Sequence, residues 1–345
     1  MSDLEIKKIT DRAGTGSPNF TNGVKVSGTD SGLLAPTRTE GDTQPDAETA
    51  SNGDTFYDTA NDTYDILTEG AWTRVLGEGG GAAGWAVDLS NVTYDSVSFN
   101  VASQEDRPAG IAFNTDGTKM YIVGYASDNV YQYTLSTGFD IGTASYDSVS
   151  FSVASQEATP FDIAFNPDGT KMYIVGNASD SVYQYSLSTA FDLSTASYDS
   201  VSFSANGQDT SPAGITFNTD GTKMYIVGWS NDSVYQYSLS TAFDLSTASY
   251  DSVSFSTASQ DASPSSIAFN PDGTKMYIVG YASDSVYQYT LSTGFDLSTA
   301  SYDSVSFSVA SQEATPLAGA FNADGTKMYI VGFTSDTLYQ YSTGL

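Results

Sequence analysis

Carboxylates, hydroxyls, amides and aromatic rings carry the chemistry open to this sequence, because its 345 residues include no cysteine and no histidine. Thiolate zinc sites, cysteine nucleophiles and histidine-based triads are therefore excluded. The chain has 41 acidic and 12 basic residues and a formal charge of −29, which argues against binding to nucleic acid or to anionic membranes. Recognition by aromatic rings and acid–base chemistry by carboxylates remain.

Nine residues form the candidate recognition site. They lie at positions that differ between the copies of a repeat whose other residues hardly change. Aromatic side chains dominate the set, and aromatic faces stack on sugar rings or on other flat apolar surfaces. The alternative is that these residues fill gaps between neighbouring structural units and bind no ligand. The nine residues are Tyr125, Asn177, Trp229, Tyr281, Phe333, Asp106, Arg107, Phe161 and Asp162.

Enzymatic activity is not predicted from the acidic residues. Glycoside hydrolases need two carboxylates that face each other across the scissile bond, one of them with a raised pKa. Such a pair breaks the symmetry of a repeat, yet most acidic residues here recur in every copy. Only Asp106 and Asp162 are unique to their copies at the candidate positions. We therefore expect a binding protein without catalytic residues, with hydrolysis through Asp162 as the alternative.

Two sets of recurrent aspartates have structural explanations. The first set lies in Asn-x-Asp-Gly segments, where Asp and Gly are typical of tight turns; it comprises Asp116, Asp168, Asp220, Asp272 and Asp324. The second set is predicted to hold a loop by accepting hydrogen bonds from backbone amides; it comprises Asp128, Asp180, Asp232, Asp284 and Asp336. Its spacing lacks an EF-hand pattern. No metal site or cofactor is predicted, and Ca²⁺ binding by the second set is the alternative.

A repeat of 52 residues positions these side chains. The segment Tyr-Asp-Ser-Val-Ser-Phe begins at Tyr94 and recurs four times at this interval, with no insertion or deletion. Each copy is predicted to contain four strands, which in the first copy are residues 110–113, 119–123, 130–135 and 146–152. The second strand is apolar on both faces and the fourth alternates, as in buried and outer strands. Four antiparallel strands in a repeat of this length are typical of a β-propeller blade.

The phase of the repeat predicts a closed ring. The last copy ends at Leu345 after its third strand, whereas an unpaired fourth strand at 87–99 precedes the first copy. That strand would complete the last blade and remove the free edge of an open solenoid. The predicted fold is therefore all-β, a five-bladed β-propeller over residues 86–345. The variable loops of such blades emerge on one side, so the nine candidate residues are expected at one end of the ring.

Residues 1–77 are predicted to form a separate anchoring module. Residues 1–50 are polar and look extended, whereas residues 51–77 contain three short strands of a β-meander. A meander of this size is marginal alone, so we expect it to dock on a larger body or to form a homotrimer. The Gly-rich segment 78–85 is predicted to be a flexible linker.

Two parts of the sequence carry a resemblance to known proteins. SNGDTFYDTANDTYDILTEGAWTRV, after KKITDRAGTGSPNFTNGVKVSG, resembles the attachment regions of marine bacteriophage appendage proteins such as tail fibres. The repeats resemble propeller units of such phage proteins and of bacterial surface proteins. The resemblance implies a virion protein, made in the host cytoplasm without a signal peptide. Residues 1–77 would then bind other virion proteins, and the propeller would bind a host-surface glycan or protein.

Two alternatives to this function stay open. One is a capsid-decorating or knob protein with a structural or weakly adhesive role. The other is a bacterial surface protein with lectin-like binding, against which the lack of an export signal counts. No segment is long and apolar enough for membrane insertion.

Overall fold

The computed structural model describes residues 85–345 in full and, before them, only the backbone of three strands. These are β1 (Thr55–Asp58), β2 (Thr63–Thr68) and β3 (Ala71–Val75), which form an antiparallel sheet in that order. They confirm the expected β-meander. The extended arm, residues 78–84 of the linker and the remainder of the anchoring module lie outside the described residues.

Five four-stranded antiparallel sheets follow, and they confirm the predicted five-bladed β-propeller. In chain order their strands are β4 (Thr93–Asn100), β5 (Pro108–Phe113), β6 (Lys119–Gly124), β7 (Asn129–Leu135), β8 (Ala144–Ser152), β9 (Pro160–Phe165), β10 (Lys171–Gly176), β11 (Ser181–Leu187), β12 (Ala196–Ser204), β13 (Pro212–Phe217), β14 (Lys223–Gly228), β15 (Ser233–Leu239), β16 (Ala248–Ser256), β17 (Pro264–Phe269), β18 (Lys275–Gly280), β19 (Ser285–Leu291), β20 (Ala300–Ser308), β21 (Pro316–Phe321), β22 (Lys327–Gly332) and β23 (Thr337–Ser342). Blades 1 to 4 are β5–β8, β9–β12, β13–β16 and β17–β20, and blade 5 is β21–β23 with β4.

Short 3₁₀ helices precede the outer strands of the blades. They span Leu89–Asn91, Ile141–Thr143, Leu193–Thr195, Leu245–Thr247 and Leu297–Thr299. An aspartate caps each of them, as when the Asp140 carboxylate accepts from the Gly142 amide at 3.0 Å. Within the described part of the chain, no helix is long and apolar enough to cross a membrane.

The two ends of the described propeller meet in blade 5. Strand β4 pairs antiparallel with β23, from Asn100 opposite Thr337 to Thr93 opposite Ser342. The first strands of adjacent blades contact each other around the whole ring, including β21 with β5. The ring therefore closes as the phase of the repeat predicts, and β23 has no free edge.

Apolar side chains of the second strands fill the spaces between blades. Met120 and Ile122 of β6 pack in one buried cluster with Tyr329 of blade 5. Tyr121, between them in sequence, faces the other way and packs with Met172 of blade 2. Because successive side chains of a strand point to opposite faces, each second strand serves two neighbours. This explains why these strands are apolar on both faces.

A tight turn joins the first and second strands of each blade. Gly117 has φ +71°, a left-handed conformation that favours glycine. Asp116 Oδ1 accepts a hydrogen bond from the Thr118 amide at 2.9 Å. The same arrangement recurs in the other blades. These contacts confirm the turn role predicted for the Asp116 set.

A β-bulge in each outer strand turns an aspartate toward the lysine of the second strand. In blade 1, Ser148 has φ +59° and the pairing register of β7 with β8 shifts after Gln132. The Asp147 carboxylate accepts from Lys119 Nζ at 2.7 Å and from Gln132 Nε2 at 2.8 Å. Gln132 Oε1 accepts from the Leu193 amide of the next blade at 2.8 Å. Equivalent lysine–aspartate pairs occur in all five blades, at 2.6 to 3.1 Å.

Candidate functional site

The direction of the first strands defines two ends of the ring. Pro108 of β5 lies opposite Gly124, beside the loop between the second and third strands, and Phe113 lies opposite Met120, beside the tight turn. We call the side of Pro108 the aromatic end and the side of Phe113 the turn end. The variable loops of the repeat lie at the aromatic end.

Five aromatic side chains form a continuous cluster at this end, and we call Tyr125, Phe161, Trp229, Tyr281 and Phe333 the aromatic cluster. The ring centre of Phe161 lies 4.7 Å from that of Trp229 and 5.8 Å from that of Tyr125. Tyr125 also contacts Phe333 at 4.8 Å, and Trp229 contacts Tyr281 at 5.7 Å. Phe161 is buried and the other four are half-buried. The structure thus brings together every aromatic residue of the predicted site.

The origin of Phe161 differs from that of the other four rings. Tyr125, Trp229, Tyr281 and Phe333 directly follow the glycine that ends a second strand. Blade 2 has Asn177 at this loop position, and its aromatic ring comes instead from the first strand. The pairing register of β9 with β10 shifts beside Phe161, between Val175 and Gly176. The same shift occurs in every blade, but the other blades have Ala109, Ala213, Ser265 and Leu317 at the bulged position. Phe161 itself therefore compensates for the missing aromatic residue in the loop.

Arg107 extends the cluster with a positive charge. Its Nη1 donates a hydrogen bond to the Tyr125 hydroxyl at 2.6 Å, and its Cζ lies 5.2 Å from the centre of that ring. Each of the five lysines among residues 85–345 has an aspartate partner, whereas no such ion pair holds Arg107. The side chain is exposed. A ligand at the aromatic end can therefore reach both the guanidinium and the ring beneath it.

Asp162 lies one residue deeper than Phe161, between the first strands of blades 2 and 3. Its Oδ1 accepts from its neighbour Ile163 N at 2.9 Å and its Oδ2 accepts from Ile215 N at 3.0 Å. The residue is 5% exposed, and burial raises the pKa of its carboxyl group to about 7. At this position blade 1 has Gly110, where a Cβ atom would come within 2.8 Å of the Asp162 backbone. The carboxyl group is thus a fixed, buried acid that titrates near neutral pH.

Asp106 and Asn177 are the two remaining predicted site residues, and neither belongs to the aromatic cluster. Asp106 is exposed in the loop that enters blade 1. Burial raises the pKa of Asp336, and the negative charge of Asp106 raises it further. Asn177 is half-buried in its loop, where its backbone amide donates a hydrogen bond to the Thr159 carbonyl at 3.3 Å.

A set of buried carboxylates, which was not predicted from the sequence, holds the loops of the aromatic end. Glu105 Oε1 accepts from the backbone amides of Arg107 at 2.9 Å and Ala126 at 3.3 Å, and Oε2 accepts from the Ser127 amide at 3.3 Å. These bonds fix the loop that carries Tyr125. The equivalent buried acids are Glu157, Asp209, Asp261 and Glu313. The sequence pattern that could have indicated these acids is an acidic residue directly after a glutamine in all five copies.

The role predicted for the Asp128 set was wrong. The carbonyl of Asp128, and not its carboxylate, accepts a hydrogen bond from the Val153 amide at 2.9 Å. The buried Oδ1 atom of Asp128 has no hydrogen-bond partner among the described residues, because Glu105 already binds the amides of that loop. Burial and the charge of Glu157 raise the pKa of Asp128. In the part of the chain that the structure describes, no group of three or more acidic side chains is arranged to hold a metal ion.

Comparisons with known proteins place the chain in a wider context. A family model described as "Lactonase, 7-bladed beta-propeller" matches residues 100–296, which is more than half of the chain. No match is found among curated proteins. A functionally unknown protein from Desulfotomaculum acetoxidans is a structural match at 14% identity and a TM-score of 0.43, over 79% of this chain and 73% of its own.

Two further structural matches are described as putative 6-phosphogluconolactonases. The protein from Bacteroides uniformis has 13% identity and a TM-score of 0.42, over 81% of this chain and 75% of its own. The protein from Bacteroides fragilis has 13% identity and a TM-score of 0.42, over 81% of this chain and 74% of its own.

The family match corrects two predictions. The expected function as a phage virion appendage protein is wrong, because the matched family is one of lactonase propellers. The predicted alternative of a bacterial lectin-like binding protein is closer to this finding. The expectation of a protein without enzymatic activity is contradicted as well, because the family is named after a hydrolase. The near-identity of the five copies concealed this possibility, since Asp106 and Asp162 were the only acidic residues at the candidate positions that break the repeat.

Proposed function

We propose that this chain, which belongs to the family described as "Lactonase, 7-bladed beta-propeller", binds a sugar or a sugar lactone at its aromatic cluster. The family description names seven blades and this chain closes its ring with five. From the family description we therefore take only a lactone as the class of ligand, and the sugar ring is inferred from the aromatic cluster. The place of binding is argued from the residues of this chain.

The aromatic cluster is the observation that carries the proposal. Its five rings touch in sequence from Tyr281 through Trp229, Phe161 and Tyr125 to Phe333, and four of them are half-buried. Edge-to-face contacts, such as the 70° angle between Phe161 and Trp229, leave ring faces directed away from the contact. Sugar rings carry apolar C–H faces that stack on such surfaces. A continuous set of rings at one end of a propeller is therefore suited to one or two sugar units.

Polar groups at the edge of the cluster supply directional contacts. Arg107 donates to the hydroxyl of Tyr125, and that hydroxyl and the remaining guanidinium N–H groups can bind the oxygens of a sugar. Trp229 Nε1 is a donor without a partner among the described residues. Buried donors are normally satisfied, so a ligand or water oxygen that reached this atom would be stabilised.

Replacement of Trp229 tests the binding site. We expect Trp229→Ala to weaken binding of a methyl pyranoside or of glucono-1,5-lactone about fivefold, because one stacking surface contributes on the order of 1 kcal/mol. The measurement is a titration followed by saturation-transfer NMR, with circular dichroism to show that the ring is folded. Asn177→Ala is the matched control, since it changes the same loop position in blade 2, and it should leave affinity unchanged. Equal affinity in both variants would mean that the aromatic cluster only packs.

Lactone hydrolysis is a second candidate function, and the acid Asp162 favours it. A carboxyl group with a pKa of about 7 can accept a proton from water near neutral pH. The water oxygen would attack the lactone carbonyl, the ring C–O bond would break, and the proton would pass to the leaving ring oxygen. Because Asp162 is 5% exposed, the residues around it would have to move before a lactone could reach its carboxyl group.

Acid release from glucono-1,5-lactone tests this second function. We expect base uptake in a pH-stat above the spontaneous rate, and loss of that excess in Asp162→Ser. Serine is a safe replacement because Ser266 stands at the same position of blade 4, where its Oγ accepts from the Gly319 amide at 3.3 Å. A native protein that never exceeds the spontaneous rate would eliminate hydrolysis of this lactone and leave the binding function untouched.

A further inference from the structure

A cavity of about 260 Å³ lies at the turn end of the ring, opposite the aromatic cluster. Three phenylalanines at the ends of first strands, Phe217, Phe269 and Phe321, form its apolar wall together with Trp85. All three phenylalanines are half-buried, so the cavity opens to solvent. The other lining residues are Thr216, Thr219, Asn270, Pro271, Phe295, Asn322 and Ala323.

Trp85 makes this part of the turn end unlike the rest of the ring. In four blades the turn glycine packs against a phenylalanine, as Gly117 does against Phe139. In blade 5 the residue equivalent to this phenylalanine is Val87, and the ring that packs against the turn glycine, Gly325, is that of Trp85. The Trp85 indole donates to the Ala323 carbonyl at 3.1 Å, and its own carbonyl accepts from Asn270 Nδ2 at 3.0 Å. The indole is thereby fixed in the wall.

Two further lining residues depart from the repeat. Thr216 stands where the other four blades have alanine, and its hydroxyl makes no hydrogen bond to any described residue. Ala323 stands where the other blades have threonine or proline. Its smaller side chain leaves more room than that of Thr115, the equivalent residue of blade 1. A free hydroxyl and extra space have thus been added at the one cavity that Trp85 borders.

The size and chemistry of the cavity limit its ligand. An engineered apolar cavity of about 150 Å³ holds benzene, so 260 Å³ has room for one substituted six-membered ring. None of the lining residues is charged, which disfavours an ionic ligand. Aromatic walls suit the apolar faces of a ring, while the Thr216 hydroxyl suits a hydroxyl group at its edge. We propose that the turn-end cavity is a second binding site, for a single neutral pyranose ring.

The experiment uses variants that the repeat itself supplies. Methyl α-D-glucoside, galactoside and mannoside are titrated by saturation-transfer NMR into full-length Trp229→Ala protein, in which binding at the aromatic cluster is weakened. Thr216→Ala restores the alanine of the other blades and should weaken binding about threefold to tenfold through the loss of one hydrogen bond. Ala323→Leu fills the cavity and should abolish binding. Thr115→Leu, which places a leucine at the equivalent turn of blade 1, should have no effect.

Three results would overturn the proposal. The first is no saturation transfer from any of the three glycosides at millimolar concentration. The second is equal loss of binding in Ala323→Leu and Thr115→Leu, which would point to a nonspecific surface effect. The third is binding of indole or phenol in place of the glycosides, which would make the site one for aromatic molecules. Since the aromatic cluster is impaired in every sample, these results are independent of the function proposed for it.

Discussion

Asp162 shows how one side chain can be both structural and reactive. It joins the first strands of blades 2 and 3 by accepting from Ile163 and Ile215 amides, at 2.9 and 3.0 Å. Two amide donors favour the charged carboxylate, but burial outweighs them and raises its pKa to about 7. The protonated form is therefore the stable one in the folded protein below neutral pH.

The raised pKa predicts a pH dependence of stability. Above its unfolded pKa of 3.8 the group is ionised in the unfolded chain but still protonated in the folded one, so folding loses stability as pH rises toward 7. As the pH is raised from 5 to 8, the free energy of unfolding of Asp162→Ser should increase relative to that of the native protein by on the order of 3 kcal/mol. Each pKa unit corresponds to about 1.4 kcal/mol. Urea unfolding at the two pH values measures this. A difference between the proteins that stays constant with pH would refute the assignment.

Some residues of the site could be chosen from the sequence and others could not. The aromatic positions and Asp162 stood out because they break a near-identical repeat. The burial of Asp162 was not visible, because no pattern in the strand indicates that its side chain reaches the next blade. Glu105 and its equivalents were overlooked for the opposite reason, since they recur in every copy although they fix the loops that carry the variable residues.

At the scale of strands and turns, short apolar segments and period-two alternation predicted four strands per blade with bounds close to those observed. The first strand, expected at 110–113, spans Pro108–Phe113, and the second, expected at 119–123, spans Lys119–Gly124. The bulge at Ser148 was not predicted. Tyr-Asp-Ser-Val-Ser-Phe looks like regular alternation, and only the pairing with β7 reveals the extra residue.

The tight turns give the sharpest prediction for a single element. Gly169 has φ +69°, and a Cβ atom there would lie 2.2 Å from the Phe191 ring. Gly169→Ala should therefore lower the free energy of unfolding by about 2 kcal/mol or more, from left-handed strain and displacement of the ring. Gly207→Ala is the control, because nothing lies within 4 Å of its Cβ position. Urea unfolding in which both variants lost the same stability would contradict this account of the turn.

At the scale of the whole molecule, the stability of the propeller depends on closure of the ring by β4. The strand belongs to blade 5 but comes from the other end of the propeller, and Lys327 Nζ binds Asp95 across this junction at 2.6 Å. Ring closure could be predicted because the repeat is cut out of phase. The use of Trp85 at the turn end could not, because this residue lies outside the repeat.

Truncation tests the closure directly. A chain that begins at Val101 lacks β4 and leaves the edge of β23 exposed, so we expect association and loss of a single cooperative unfolding transition. A chain that begins at Gly84 keeps every strand of the propeller and should remain monodisperse with native stability. Size-exclusion chromatography and thermal unfolding distinguish the two. A stable monomer from the shorter chain would show that β4 is dispensable.

The most direct test of the central claim is a crystal structure of the full chain soaked with the sugar or sugar lactone that binds best in solution. The account predicts electron density for a ring stacked on Trp229 or Tyr281, with an oxygen near Arg107 or the Tyr125 hydroxyl. A bound ligand that leaves the aromatic cluster bare would contradict it, even if the turn-end cavity were occupied.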